Sequence, residues 1–271
     1  MHDLRTCEIE FLIAMLEKNT FKIEDAKEKF LDIINNPNNS QSYIAKANLE
    51  LGEIEEANSN VELAIECYKN ALEISLGKDK ALVCKGYYRL ALLYDEHQDW
   101  DNAIKYYKKN FTTSSERKEN KYYSVSLTNL ALIYVEQANY PQAIEYLKIA
   151  LIYDSEIKDY ENMYFSQKEL AKIYSRLDEA EAVNYYKKAL DSAQKLNDVF
   201  KVALVYFELG EFYYDKQQDK KALVSFYNAK AILKEASDVE NIQRVESRIK
   251  DIKIRFNQEK FEEISKEYDK N

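Results

Sequence analysis

The sequence predicts an all-α fold of helix–turn–helix hairpins stacked in series, and three observations lead there. The first is composition. Among 271 residues only four are Gly and two are Pro, so turn-formers are too few for a multi-stranded protein, whereas Ala, Leu, Glu and Lys suit helices. The second is repetition: "LALLYDEHQDWDNAIKYYKKN" from Leu90 has relatives beginning at Leu51, Leu130, Leu170 and Leu209. The third is a phased pattern within each copy. Ala64, Ala103, Ala143, Ala182 and Ala222 are followed four residues later by Tyr68, Tyr107, Leu147, Tyr186 and Phe226, and positions i and i+4 share one helix face.

The five leucines step by 39, 40, 40 and 39 residues. Eleven residues before them stand Ser40, Asp79, Glu119, Asp159 and Asp198. Ser and Asp accept hydrogen bonds from the free N–H groups of a helix start, and an acid there opposes the positive end of the helix dipole. Each such residue therefore opens a unit, with Glu119 the poorest cap of the set. The predicted units are 40–78, 79–118, 119–158, 159–197 and 198–237. In each, a first helix runs through the Leu to a short break such as "QDW" or "ANYP", and a second helix follows; Pro141 suits a first turn, where its missing N–H costs nothing.

The ends continue the pattern. Ala26 and Phe30 precede Ala64 and Tyr68 by 38 residues, which makes 1–39 a degenerate N-terminal helical hairpin. Asp238 stands 40 beyond Asp198, with Ile249 eleven residues further. Residues 238–271 are thus expected to form a capping hairpin in which "QEKFEEISKEY" is a C-terminal capping helix with a polar outer face, as the end of a stacked array requires. Only "NNPNNS", residues 35–40, has loop composition.

Tyr87-x2-Leu90-Ala91-x2-Tyr94, Leu127-x2-Leu130-Ala131-x2-Tyr134 and Tyr206-x2-Leu209-Gly210-x2-Tyr213, each followed by the Ala and large apolar pair, resemble tetratricopeptide repeats. The resemblance implies a right-handed α-solenoid of about six hairpins. Its period exceeds the usual repeat of about 34 residues, in a way similar to the long-helix repeats of bacterial peptide-pheromone receptors and kinesin light chains. Two departures stand out: Glu55 occupies the place of the aromatic in the first repeat, and the fourth repeat has lost one residue in its turn.

Charge and chemistry narrow the function. A formal net charge of -9 opposes broad affinity for phosphate backbones, so nucleic acid is not an expected partner. The N-terminal apolar run, broken by Glu8, Glu10 and Glu17, is too short for a signal segment or a membrane span, and a cytoplasmic protein without membrane attachment is expected. Cys7, Cys67 and Cys84 follow no metal-ligand spacing. They read as small apolar residues on helix faces. His2 and His97 have no Cys, Ser or second His at a spacing that builds a nucleophile or metal site, and there is no Gly-rich phosphate loop. The chain is expected not to be an enzyme and to need no cofactor or metal.

In tetratricopeptide arrays the first helices line a concave groove. The matching stripes here are Leu49/Glu53/Ala57, Tyr88/Leu92/Glu96, Thr128/Leu132/Glu136, Lys168/Lys172/Arg176 and Phe207/Glu211/Asp215. The fourth is wholly basic, and like charges at i, i+4 disfavour a helix by roughly 0.2 to 0.5 kcal/mol. Its compensating anion is either internal, with Glu136, Glu211 and Asp215 as acceptors, or carried by a partner. Arg89 and Asn129 match positions that hold peptide ligands in the family, while Leu49 and Glu53 stand where a chaperone-binding clamp would carry Lys and Asn. The candidate groove residues are therefore Tyr88, Arg89, Asn129, Lys168, Lys172, Arg176 and Phe207. The function expected is a non-catalytic scaffold or adaptor for a protein or peptide, with an acidic extended segment as the ligand type. Two alternatives stand beside it: a structural subunit that self-associates, as a homo-oligomer, through the groove or the end hairpins, and an intracellular receptor for a peptide signal.

Overall fold

The computed structural model describes residues 4–113 and 122–255, and among these residues there are thirteen α-helices and no strand. They belong to two compact units, 1–146 and 147–271. The first unit holds α1 (Leu4–Asn19), α2 (Ile23–Asn35), α3 (Gln41–Ala57), α4 (Val61–Ser75), α5 (Lys80–Glu96), α6 (Trp100–Thr113), α7 (Tyr123–Glu136) and the start of α8 (Tyr140–Ile157). The second holds the rest of α8, α9 (Tyr160–Leu177), α10 (Glu179–Lys195), α11 (Val199–Asp215), α12 (Asp219–Glu235) and α13 (Val239–Arg255). Within each unit the helices pack in sequence order, α1 to α7 and α9 to α13, with α1 also touching α3 and α3 touching α5. This is the all-α hairpin array that the repeat pattern predicts. The expected capping helix "QEKFEEISKEY" lies outside the described residues.

The phased residues form the cores. Ala26, Ala64, Ala103, Ala143, Ala182 and Ala222 are fully buried, as are Phe30, Tyr68, Tyr107, Leu147 and Phe226, with Tyr186 nearly so. A large side chain taken out of water contributes about 1.5 to 3 kcal/mol, and the small Ala one turn earlier lets the facing helix come close enough to collect it. One close approach is at Gly52, where an added Cβ would lie 2.5 Å from the Tyr68 ring. Gly210 has the same relation to Phe226, again at 2.5 Å.

Helix starts follow the predicted caps. The side chains of Asp79, Asp159 and Asp198 accept from the amides of Leu82, Asn162 and Lys201, and Asp238 accepts from Asn241. Ser40 stands at the N-cap of α3 without a side-chain bond. Glu119 lies outside the described residues, and α7 begins at Tyr123.

Helix ends are closed by residues with positive φ. In the first repeat Ser59 takes φ 63°, its N–H donating to the Glu56 carbonyl and that of Asn60 to Glu55. Gln98, Ala138 and Gln217 repeat the arrangement. The fourth repeat is the exception: its missing residue is this one. Asp178, extended at φ -151° and ψ 110°, ends α9 and also caps α10 by accepting from Ala180 and Glu181.

Candidate functional site

In the first unit, the facing sides of α1, α3 and α5 carry a dense ionic cluster. Glu53 Oε1 accepts from Arg89 Nε at 3.1 Å and Nη2 at 2.8 Å, and Oε2 accepts from Lys18 Nζ at 2.7 Å. Lys85 stands 3.0 Å from Glu53 and 2.8 Å from Glu50, and Lys18 is 2.5 Å from Glu50. Burial works against the Glu53 carboxylate, yet the Lys18 hydrogen bond and the charges of Lys85 and Arg89 outweigh it and hold the group at about 2. Arg89 is therefore committed to its own chain.

Tyr88 and Asn129 come together. The Tyr88 ring stacks on Tyr122 with centroids 4.6 Å apart and planes 18° from parallel and lies 6.4 Å from the Tyr107 ring. Asn129 Nδ2 donates to the Tyr107 hydroxyl at 3.1 Å, which in turn donates to Asp95 Oδ2 at 3.2 Å. Burial raises the Tyr107 pKa, so its proton stays in place and the relay is fixed. Leu49, counted in the first stripe, is buried instead of lining an open face.

In the second unit α9 brings the basic stripe together. Lys168 is only 9% exposed, 3.4 Å from Glu208 Oε1 and 5.5 Å above the Tyr164 ring. Lys172 donates to Glu169 Oε1 at 2.9 Å and lies 3.8 Å from Glu208; burial disfavours its charge, but the Glu169 bond prevails and its pKa is raised. Arg176, exposed at the end of the stripe, borders with Lys172, Glu208, Glu211 and Asp215 a recess of about 400 Å³ between α9 and α11. On α11 the carboxylate within ion-pair distance of both lysines is Glu208 and not Glu211 or Asp215, while Glu169 of α9 accepts the Lys172 hydrogen bond. Lys168 and Lys172 are one turn apart, so a single carboxylate on α11 reaches both, while Glu211 is taken by Arg248 of α13 at 2.8 Å.

Phe207 of α11 packs toward α12 and α13. Its ring packs on Phe226 at 5.6 Å and under the Arg244 guanidinium at 5.3 Å. It forms, with Phe200, Leu204, Val245 and Arg244, the wall of a mainly apolar recess of about 440 Å³ between α11 and α13. Phe200 and Leu204 are exposed. Arg244 donates to Asn241 Oδ1 at 3.1 Å and forms no ion pair with a described residue. Sequence reasoning missed Phe200, Leu204 and Arg244. The signal was available, since Phe200, Leu204 and Phe207 recur at helical spacing on one face.

Other chemistry is sparse. Cys7, Cys67 and Cys84 are buried and free, and burial with the nearby Glu55 charge pushes the Cys67 thiol up to about 11. Among the described residues no group of three or more His, Cys, Asp or Glu could hold a metal ion, and no helix is long and apolar enough to cross a membrane.

Paired helices that bury a repeated motif and leave recesses between successive first helices are the architecture of a binding repeat. The chain matches the tetratricopeptide repeat family over residues 43–110 and 122–195 and belongs to it. Among solved structures it is similar to the apo form of RapI, 17% identical, with a TM-score of 0.74 over 98% of this chain and 73% of that one. A putative kinesin light chain of Podosopora anserina with nearly identical repeats is 19% identical, with a TM-score of 0.58 over 73% and 99% of the two chains. YrrB, described as a tetratricopeptide repeat protein with an unusual peptide-binding site, is 17% identical, with a TM-score of 0.51 over 75% and 92%. At these identities the likeness is one of fold. No curated protein sequence matches the chain.

Proposed function

We propose that this chain is a non-catalytic scaffold of the cytoplasm that binds an extended protein or peptide segment on the first helices of its second unit. The observation that carries the reading is the recess between α11 and α13, where exposed Phe200 and Leu204, together with Phe207, offer apolar contact beside an Arg244 that has no carboxylate partner among the described residues. An apolar side chain of the ligand would enter the recess, and an adjoining carboxylate would meet Arg244. Charge-assisted hydrogen bonds contribute about 1.5 to 3 kcal/mol each, enough to select acidic segments over neutral ones. YrrB, with its unusual peptide-binding site, supports a peptide ligand by likeness of fold. Lys172 and Arg176 extend the basic surface; Lys168, Arg89 and Asn129 serve chiefly to hold the helices in place.

The test is binding of a library of extended acidic peptides, each with one bulky apolar residue, to the full chain. Phe200→Glu with Leu204→Glu, both at exposed positions, should abolish capture and leave the melting temperature unchanged. The double charge reversal Lys168→Glu with Lys172→Glu should lower the melting temperature, because it removes the partners of Glu208. Peptide capture that survives the Phe200 and Leu204 substitutions would overturn the assignment of the site.

A further inference from the structure

The phased tyrosines differ in what their hydroxyls reach. Tyr68, Tyr107 and Tyr186 hold the same buried place in the first, second and fourth repeats, where the third and fifth have Leu147 and Phe226. The Tyr68 hydroxyl donates to Glu56 Oε2, and the Tyr107 hydroxyl to Asp95 Oδ2 at 3.2 Å. Both acids stand five residues after the repeat leucine, Leu51 or Leu90, near the end of the first helix. In these two repeats the hairpin itself supplies a carboxylate to a buried donor that is costly to leave unpaired.

In the fourth repeat the same place, five residues after Leu170, is Ser175. Its hydroxyl is turned back on its own helix and donates to the Lys172 carbonyl at 2.7 Å. Tyr186 is only 3% exposed and packs on Phe212 with ring centroids 6.0 Å apart, yet its hydroxyl forms no hydrogen bond with a described residue. Burial and the charges of Glu208, Glu169 and Asp215 raise its pKa, so the oxygen keeps its proton and stays a donor. Tyr186 and Ser175 both line the recess of about 400 Å³ between α9 and α11.

The charges around this recess favour an anion. Glu208 and Glu211 are paired from outside it by Lys168 at 3.4 Å and Arg248 at 2.8 Å. Asp215 is then the acid set against Lys172, Arg176 and Lys216, of which Lys172 is shared with Glu169.

We infer that the recess between α9 and α11 takes a side-chain carboxylate of the bound segment, which accepts from the Tyr186 hydroxyl as Glu56 and Asp95 do in their own repeats, with Lys172 and Lys216 at the rim. The inference rests on the function proposed above and adds a second contact to it. The segment that places an apolar side chain between α11 and α13 places an aspartate or glutamate between α9 and α11.

The test follows the Tyr186 signal in nuclear magnetic resonance of the full chain with its tyrosines isotope-labelled at Cζ, assigned by its loss in Tyr186→Phe. N-acetylglutamate N-methylamide should shift that signal, and the glutamine analogue should not. N-acetylglycine, which carries only a terminal carboxylate, should shift it less. For library peptides captured by the full chain, Tyr186→Phe should lower affinity about tenfold and leave the melting temperature unchanged, because the hydroxyl has no partner to lose. Ser175→Asp restores the acid of the second repeat. It should raise the melting temperature, lose that gain when combined with Tyr186→Phe, and abolish the shift caused by the glutamate probe. No shift with that probe, an equal shift with the glutamine analogue, a larger one with N-acetylglycine, or a shift that survives Ser175→Asp would each overturn the inference. The small probes carry no bulky apolar group for the recess between α11 and α13, so this inference and the assignment of that recess fail separately.

Discussion

Tyr134 lies flat on Tyr146, with ring centroids 5.7 Å apart and planes 5° from parallel. The same stack joins Tyr94 to Tyr106 and Tyr174 to Tyr185, at 5.6 Å and 5.4 Å. It clamps the end of a first helix to the second helix of its own hairpin. In the first repeat the two places hold Glu55 and Cys67 and there is no ring stack; the buried Glu55 is instead paired with the preceding hairpin, where Lys27 Nζ of α2 reaches it at 2.6 Å, and Asn60 donates to it at 2.7 Å.

The stack sets a ranked prediction. Tyr134 is half-buried, so Tyr134→Ala should cost about 2 kcal/mol, below the 3 to 5 kcal/mol of a fully buried aromatic. Tyr107→Ala, which removes a fully buried ring, should fall within that range. Urea denaturation of the two variants checks the order, and equal or reversed costs would contradict it.

The Glu53 cluster predicts how stability depends on pH. The carboxyl is held at about 2 against an ordinary 4.5, so the folded state binds its proton less readily than the unfolded one. The stabilisation is complete above about 4.5, fades as the pH falls and is gone near 2; its full size is at most about 3 kcal/mol. Glu53→Gln should destabilise the chain near neutral pH and flatten the acid limb of a plot of melting temperature against pH. An unchanged acid limb would remove Glu53 from the explanation.

Gly52 pits helix propensity against packing. Ala is favoured over Gly in a helix interior by about 1 kcal/mol, but its Cβ would meet the buried Tyr68 ring at 2.5 Å. Overpacking of this kind costs about 1 to 3 kcal/mol, so Gly52→Ala should be net destabilising. Thermal melting decides the sign, and a stabilised variant would mean that the ring yields.

The caps differ in kind. Asp79→Ala removes a bond to the Leu82 amide and should cost about 1 kcal/mol. Ser40→Ala removes no such bond and should cost clearly less. Chemical denaturation of both variants measures the difference; equal losses would show that the side-chain bond contributes little.

The sequence by itself determined the repeat and its phase. Ala followed by a large apolar residue, and Asp before a helix, act over four residues or fewer, so the pattern that encodes them is visible in any one copy. The lost residue of the fourth turn was visible as well, though not its consequence, that Asp178 would both end one helix and begin the next. The tertiary structure alone decided the fate of the candidate site. Arg89 and Glu53 are 36 residues apart and Lys168 and Glu208 belong to successive first helices, and which carboxylate a lysine or arginine finds depends on how two helices face one another. Burial is decided at the same level. Ile13 and Leu51 occupy the same place in their hairpins, and Leu51 is a core residue because α1 and α2 cover it, whereas no described residue covers Ile13 in the same way.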